Sequence, residues 1–344
     1  MIPFMKFKRL YFILSLIVII PGLISLFMNG LNLGIDFTGG AELILGLQET
    51  ATAPAVPTPI APDPAAPTQP PAPIATQSAA QATQSAEITY SFDTVKTSLQ
   101  NIPEALSVMD GTSQSGPLLT IRMQPISPER KTEIMTSIKQ VQPAAKELRF
   151  ETVGPTLGKE LIVKTIVAIL LSAGSITLYV AYRFKELKYG ICAVLAMLHD
   201  SLVLLGSFSL LGKFLGVEID TLFVTAILTI LSFSVHDTIV VYDRIRELKH
   251  KKVARTYAET VDIAVNETLS RSIKNSLTII FMLLALLILG GDTIRWFVFA
   301  LLIGTITGTY SSTFTAAPLL VQWDDWAEMI AVLKARRGKN GKRR

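Results

Sequence analysis

The sequence predicts an α-helical polytopic membrane protein: a six-helix transmembrane bundle carrying one small α+β domain outside the membrane. Three observations predict it. Half of the 344 residues are hydrophobic and only 17% are charged, and the apolar residues gather in runs longer than the ~18 that mark a membrane span. Basic residues crowd alternate inter-run segments. A single long polar segment separates the first apolar run from the other five.

The first run, Leu10–Phe27, follows Lys6, Lys8 and Arg9. It is long for a signal-peptide core, and no small-x-small cleavage site follows it, so it reads as a retained anchor. The later runs cover about 161–182, 190–211, 219–241, 272–289 and 296–321. Arg183, Lys185 and Lys188 lie between the second and third runs, and Arg244, Arg246, Lys249, Lys251, Lys252 and Arg255 between the fourth and fifth. The tail carries Lys334, Arg336, Arg337, Lys339, Lys342, Arg343 and Arg344, whereas the opposite short segments, 212–218 and 290–295, hold only Lys213 and Arg295. The positive-inside rule then places both termini and the basic segments in the cytoplasm, with the protein multi-pass in the cell inner membrane among its lipids. Trp296, Trp323 and Trp326 fall at span ends, where interfacial aromatics belong.

The expected organisation is a cytoplasmic end plus first span over 1–29, an extracytoplasmic domain over 30–160, a five-span bundle over 161–322 with a cytoplasmic loop over 243–270, and a basic tail over 323–344. The net charge of +5 comes from 32 basic and 27 acidic residues. Its distribution follows topology, and no nucleic-acid partner is expected. The one cysteine, Cys192, sits in an apolar run. An intrachain disulfide is excluded and no Cys-based metal site is visible. No cofactor is expected.

Within the outer segment, 49–86 is built of Pro, Ala, Thr, Gln and Ser with almost no large apolar side chain. Such a composition buries too little surface to offset ordering entropy and is expected to be disordered. Around it, Ala41–Leu47, Leu118–Met123 and Leu148–Val153 read as strands. Phe92–Ile102 reads as a helix on the spacing of Phe92, Val95 and Leu99. Ser127–Val141 reads as another helix, N-capped by Ser127 with Pro128 in its first position. Alternating strands and helices predict an α+β sandwich without a catalytic constellation.

A charge at membrane depth costs on the order of 2.5–3.5 kcal/mol on insertion scales, so each is a functional candidate. The third span holds His199 and Asp200, and the fourth holds His236 and Asp237, with Asp243 and Arg244 at its cytoplasmic mouth. Thr221, Thr225, Thr229, Ser232, His236 and Asp243 recur at three, four or seven residues, a polar stripe along one helix face that Asp237 borders. A stripe ending in a titratable pair suits a water-lined proton path; hydroxyls alone would read as helix packing. Arg271 opens the fifth span and is expected at the depth of Asp237, where it would favour the carboxylate against burial. Ala300, Gly304, Gly308, Ser312 and Ala316, each four apart, read as a packing face.

Several segments match one known pattern. Ser234-Val-His-Asp-Thr-Ile-Val-Val-Tyr-Asp-Arg-Ile-Arg-Glu247 resembles the fourth-span signature of SecF proteins, in the SecD/SecF family, including Asp243, Arg244 and Arg246. Asn266-Glu-Thr-Leu-Ser-Arg-Ser272 is similar to the family motif opening the fifth span. Gly34-Ile-Asp-Phe-Thr-Gly-Gly40, containing Asp36 and Gly39, resembles the motif after the first span. Val153-Gly-Pro-Thr-Leu-Gly158, containing Gly154 and Pro155, resembles the one entering the second, and His199-Asp200 also matches. The chain departs from the family at His236 and Leu248, where Asn is usual, and in its Pro/Ala-rich insert.

The resemblance implies a fold like half of an RND transporter. It implies a non-enzymatic role beside SecD and the SecYEG channel, pulling preproteins outward with the proton-motive force. It places Asp237 and Arg271 in the proton pathway, with a further carboxylate supplied by SecD. Rival readings are half of a small-molecule RND exporter, a structural assembly subunit and an intramembrane enzyme. The last lacks the Gly-x-Gly-Asp context that an aspartyl protease would want.

Overall fold

A computed structural model describes residues 2–47, 105–113, 116–143 and 145–341. In chain order these form α1 (Lys8–Asn29), the single turn α2 (Ile35–Thr38), β1 (Gly40–Leu47), β2 (Ala105–Ser113), β3 (Gly116–Met123), α3 (Pro128–Val141) and β4 (Ala145–Val153). The long helices α4 (Pro155–Phe184), α5 (Leu187–Leu215), α6 (Thr221–Lys251) and α7 (Tyr257–Leu289) follow. The last span joins α8 (Asp292–Ser311), a π-helical turn over Ser312–Ala316, and α9 (Ala317–Gly341). Among the described residues, six helical stretches are long and apolar enough to cross a membrane, as expected from the sequence. The insert at 49–86 and the helix expected over Phe92–Ile102 lie outside the described residues.

The chain divides into two compact units, Ala41–Glu151 and the remainder. The smaller unit is narrower than the 30–160 read from the sequence, because 30–40 and 152–160 belong with the membrane helices. Its sheet has the order β2-β3-β1-β4, with β1–β3 and β2–β3 antiparallel. Strand periodicity sends Ala41, Leu43 and Leu45 of β1 and Leu119, Ile121 and Met123 of β3 to one face. There they bury against Ile134, Met135 and Ile138 of α3. Ser127 caps α3 as expected, its hydroxyl accepting from Arg130 N at 3.3 Å, with Pro128 in the first turn. The sequence reading omitted β2. A register shift between Ala105 and Ser107 breaks its alternation, which is the signal by which a strand is read.

In the larger unit, α5, α6 and α8 carry the buried core, while Val163, Ile166, Val167, Leu170, Leu171 and Leu178 of α4 are exposed. That is the arrangement for a helix facing lipid. Small residues set the closest approaches. A Cβ on Gly22 or Gly206 would stand 2.7 Å from the other's Cα, so α1 and α5 touch backbone to backbone. A Cβ on Gly304 would stand 2.2 Å from the Ile230 side chain, and Ala300, Gly304, Gly308, Ser312 and Ala316 are all buried. This small-residue face does pack. The carbonyl of Ala316, in the π turn, is taken by the buried Tyr242 hydroxyl at 3.1 Å.

The segment 243–270, expected as a cytoplasmic loop, consists of two helix ends and a short turn. α6 continues to Lys251 and α7 begins at Tyr257, so nearly all of it is helical. The turn between them is set by Lys252 in the left-handed region (φ 51°) and by Thr256, whose hydroxyl accepts from Glu259 N at 3.2 Å. Hydropathy marks where a helix leaves the apolar layer, not where it unwinds, and charged residues extend both helices into water.

Candidate functional site

The glycine-rich motif after α1 and the motif entering α4 form one junction. Gly34 N donates to Ile219 O at 2.8 Å, and Ile219 N to Asn32 O at 2.8 Å. Asp36 reaches the first residue of α6, its Oδ2 accepting from Thr221 N at 2.9 Å and from Thr221 Oγ1 at 2.8 Å. A carboxylate at a helix N-terminus satisfies free N–H groups and complements the helix dipole. Asp220 adds a cap from Phe223 N at 2.8 Å. Gly39 has φ +74°, and a Cβ there would stand 2.8 Å from Pro155 Cα; one on Gly158 would stand 2.7 Å from Phe37 O. Pro155 opens α4 in the first-turn position that tolerates it. Gly40 is also at positive φ, whereas a Cβ on Gly154 would meet open space.

The face of α6 bearing Asp237 packs inward. Asp237 is 5% exposed, and its Oδ2 accepts a 2.5 Å hydrogen bond from Ser272 Oγ of α7, itself buried. The neighbouring face is the polar stripe. Thr221, Thr225, Thr229, Ser232 and His236 are exposed on the outside of the bundle and Asp243 is half-buried. Thr225 and Thr229 return their hydroxyls to the carbonyls of Thr221 and Thr225 at 3.1 and 2.7 Å. His236 stays close enough to act on the Asp237 charge but belongs to the outer face.

Arg271 does not pair with Asp237. The Ser272–Asp237 bond sets the Arg271 backbone at the expected depth, but one residue is about 100° of helix rotation. Its side chain lines a cavity of about 700 Å³ with Val240, Asp243, Arg244, Glu247, Glu267 and Thr268. The sequence reading missed Ser272; the signal was its place beside Arg271 in the fifth-span motif.

The rest of the fourth-span signature staples the adjoining ends of α4, α6 and α7. Arg244 donates to Glu267 at 2.5 Å and also to Glu247. Asp243 pairs with Arg183 at 3.1 Å, and Arg246 donates to the Arg183 carbonyl at 3.1 Å. Lys249 reaches Glu186 at 3.1 Å. Asp262 and Asn266 of α7 hold the N-terminal segment, Asp262 accepting from Met5 N at 2.8 Å and Asn266 from Ile2 N at 3.0 Å. Leu248, a departure from the family pattern, is 3% exposed and part of the core.

A second polar node lies deeper. Asp200 is 1% exposed; its Oδ2 accepts from Ser234 Oγ of α6 and Ser311 Oγ of α8, each at 2.6 Å, and its Oδ1 lies 3.0 Å from His199 Nδ1. The His199 ring stacks on Tyr310 at 6.1 Å. Sequence reasoning named the His–Asp pair but gave it neither serine as a partner, since nothing in the chain order brings α5, α6 and α8 together. Among the described residues no group of three or more His, Cys, Asp or Glu side chains could hold a metal ion.

Comparison with known proteins gives a consistent result. Residues 133–326 match the family model described as "Protein export membrane protein SecD/SecF, C-terminal", and 24–51 match "SecD/SecF GG Motif". The protein translocase subunit SecF of Thermobaculum terrenum is 40% identical over 332 residues, covering 94% of this chain and 95% of that protein. The SecDF subunit of Thermus thermophilus is 42% identical over 205 residues, 59% of this chain but 27% of that protein. Among solved structures, SecDF of the same organism, described as a translocon-associated membrane protein, superposes with a TM-score of 0.70 at 31% identity. That likeness covers 94% of this chain and 38% of the SecDF chain.

Proposed function

The chain belongs to the SecD/SecF family of protein-export membrane proteins, and from that premise we propose that it acts as the SecF partner of SecD beside the SecYEG channel, driving the last stage of preprotein export with the proton-motive force. Its relatives are translocase subunits, which accords with a transport component and not an enzyme. The chain corresponds to little more than a third of the fused SecDF protein, and a SecD chain supplies the remainder.

The observation that carries this reading is the face of α6. Thr221, Thr225, Thr229, Ser232 and His236 are exposed on a helix long and apolar enough to cross a membrane, beside the buried Asp237. Lipid is a poor neighbour for such a stripe, whereas a second helix bundle with its own polar groups is a good one. A proton pathway at that contact draws on Asp237 from the inner side, His236 from the outer side and Arg271 from the cytoplasmic cavity. The Ser272 hydroxyl can donate to an ionised Asp237 or accept from a protonated one, so the carboxyl keeps its contact through a proton cycle. Moving one charge through the membrane potential supplies about 2.3 kcal/mol per 100 mV. It does work only if two conformations bind the proton differently. Both termini and the Arg183–Lys188 and Arg244–Arg255 segments lie on the cytoplasmic side of the inner membrane, and the Ala41–Glu151 unit lies outside, where emerging preprotein is held.

The test is Asp237→Asn in a chain reconstituted with SecD and SecYEG. Proton-driven export is lost while membrane insertion is unchanged; export at the normal rate would sink the assignment.

A further inference from the structure

The His199–Asp200 node has no part in the pathway above. α1 and α5 pack in parallel with a constant offset. Gly22 meets Gly206, Ser25 Oγ lies 2.9 Å from Ser209 Oγ, and Asn32 Nδ2 reaches Gly216 O at 3.4 Å, each pair 184 residues apart. Two turns toward the cytoplasm, the same offset brings Ser15 to the level of His199. The Tyr310 hydroxyl, whose ring lies on His199, donates to the Tyr11 carbonyl, one turn before Ser15, at 3.1 Å. Ser15 is 7% and His199 8% exposed. Ser15 Oγ and His199 Nε2 are both buried polar atoms without a hydrogen-bond partner. Buried polar groups are ordinarily satisfied, and an exception asks for an explanation.

We propose that His199 and Asp200 form a second proton-binding station inside the bundle of this chain, entered at His199 Nε2 from the α1 side past Ser15. The inference rests on the proton-driven reading above. With Nδ1–H donating to an ionised Asp200, the pair carries one negative charge in an apolar layer, where an uncompensated charge is costly. Among the described residues no lysine or arginine pairs with Asp200, so a proton is the available neutraliser. A proton delivered by water adds to Nε2 as the Nδ1 proton passes to Asp200 Oδ1. The products are a neutral imidazole and a carboxylic acid, and the net charge goes from minus one to zero. Ser234 and Ser311 serve both states, since each donates to Oδ2, which remains an acceptor when Oδ1 takes the proton.

The titratable side chains facing the pair from the packed elements are few. They are Tyr310 of α8, Tyr11 of α1 with Asp262 of α7 close to it, and Asp237, three residues beyond Ser234 on α6. On α9, Asp324 pairs with Lys188 at 2.8 Å. Ser311 lies two residues from Thr309, which donates to Ser276 Oγ at 2.6 Å. Ser276 stands one turn along α7 from Ser272, the partner of Asp237.

The chain contains three histidines, so ¹⁵N-histidine labelling of the full-length protein in lipid nanodiscs resolves each ring, with His236→Gln and His250→Gln assigning the other two. Between about pH 5 and about pH 9, bracketing the ordinary imidazole range, the His199 nitrogens are expected to change tautomer or protonation. Asp200→Asn displaces that curve by roughly one unit or more, and Ser15→Ala shifts the Nε2 signal. Should Asp200→Asn fail to fold, Ser311→Ala, which removes one donor from the carboxylate, displaces the curve in its place. A His199 ring unchanged across the range, or a curve indifferent to these variants, overturns the station. Asp237→Asn separates the two readings: the His199 titration survives in it if the station exists, whatever export does, whereas normal export from it defeats the proposed function alone.

Discussion

Ser272 on α7 donates a 2.5 Å hydrogen bond to Asp237 on α6, while Arg271, one residue earlier, turns to the cavity beside Arg244 and Glu267. The carboxylate is therefore held by a hydroxyl that can follow its protonation and not by a fixed positive charge. Ser272→Ala removes that partner and leaves the carboxyl buried. The expected cost is about 1–3 kcal/mol, read as a lower thermal midpoint in nanodiscs, together with slower proton-driven export. Arg271→Ala is expected to leave that midpoint nearly unchanged; equal losses from the two variants would contradict the geometry.

The approach of α1 to α5 depends on two glycines at one level. Gly206→Val places side-chain carbon where the Gly22 backbone stands 2.7 Å away, and no rotamer relieves a backbone clash. Overpacking of this kind costs about 1–3 kcal/mol. A cysteine pair engineered at Ser25 and Ser209, whose hydroxyls are 2.9 Å apart, is expected to cross-link efficiently in the parent and poorly in the Gly206→Val protein.

Asp36 ties the motif after α1 to the first residue of α6. Asp36→Ala leaves Thr221 N and Oγ1 without their acceptor, while Asp220 still caps Phe223. Loss of an N-terminal cap costs about 0.5–2 kcal/mol. Amide hydrogen exchange should rise over the first turn of α6 and stay unchanged in α8. A uniform rise would point to global destabilisation instead.

Between α4 and α5, burial pushes the Glu186 carboxyl up, but the Lys249 hydrogen bond and the Lys188 charge outweigh it and hold the group below its ordinary range. A folded-state value below the unfolded one means stability that is fully present above the unfolded value of about 4.3 and lost as pH falls through the folded one. Glu186→Gln is thus expected to melt lower than the parent at neutral pH and to converge with it on acidification. Parallel melting curves across that window would show that the Lys249–Glu186 contact at 3.1 Å contributes nothing.

The chain order by itself determined the six spans, their alternation of basic ends, the strands β1, β3 and β4, the Ser127 cap and the identity of the buried acids. All of these follow from local composition and period: an apolar run of sufficient length must satisfy its backbone internally, and a two-residue alternation must face two environments. β2 escaped because a register shift erased its alternation, and the helical extensions of α6 and α7 escaped because hydropathy is blind to a helix in water. Only the tertiary structure decided which hydroxyl meets which carboxylate. Ser272 reaches Asp237, and Ser234 with Ser311 reach Asp200, across helices that chain order does not place side by side. The chain order names Arg271 as a partner for Asp237 by depth, but one residue of rotation about α7 sends it to the cavity, and that rotation belongs to the packing of the bundle.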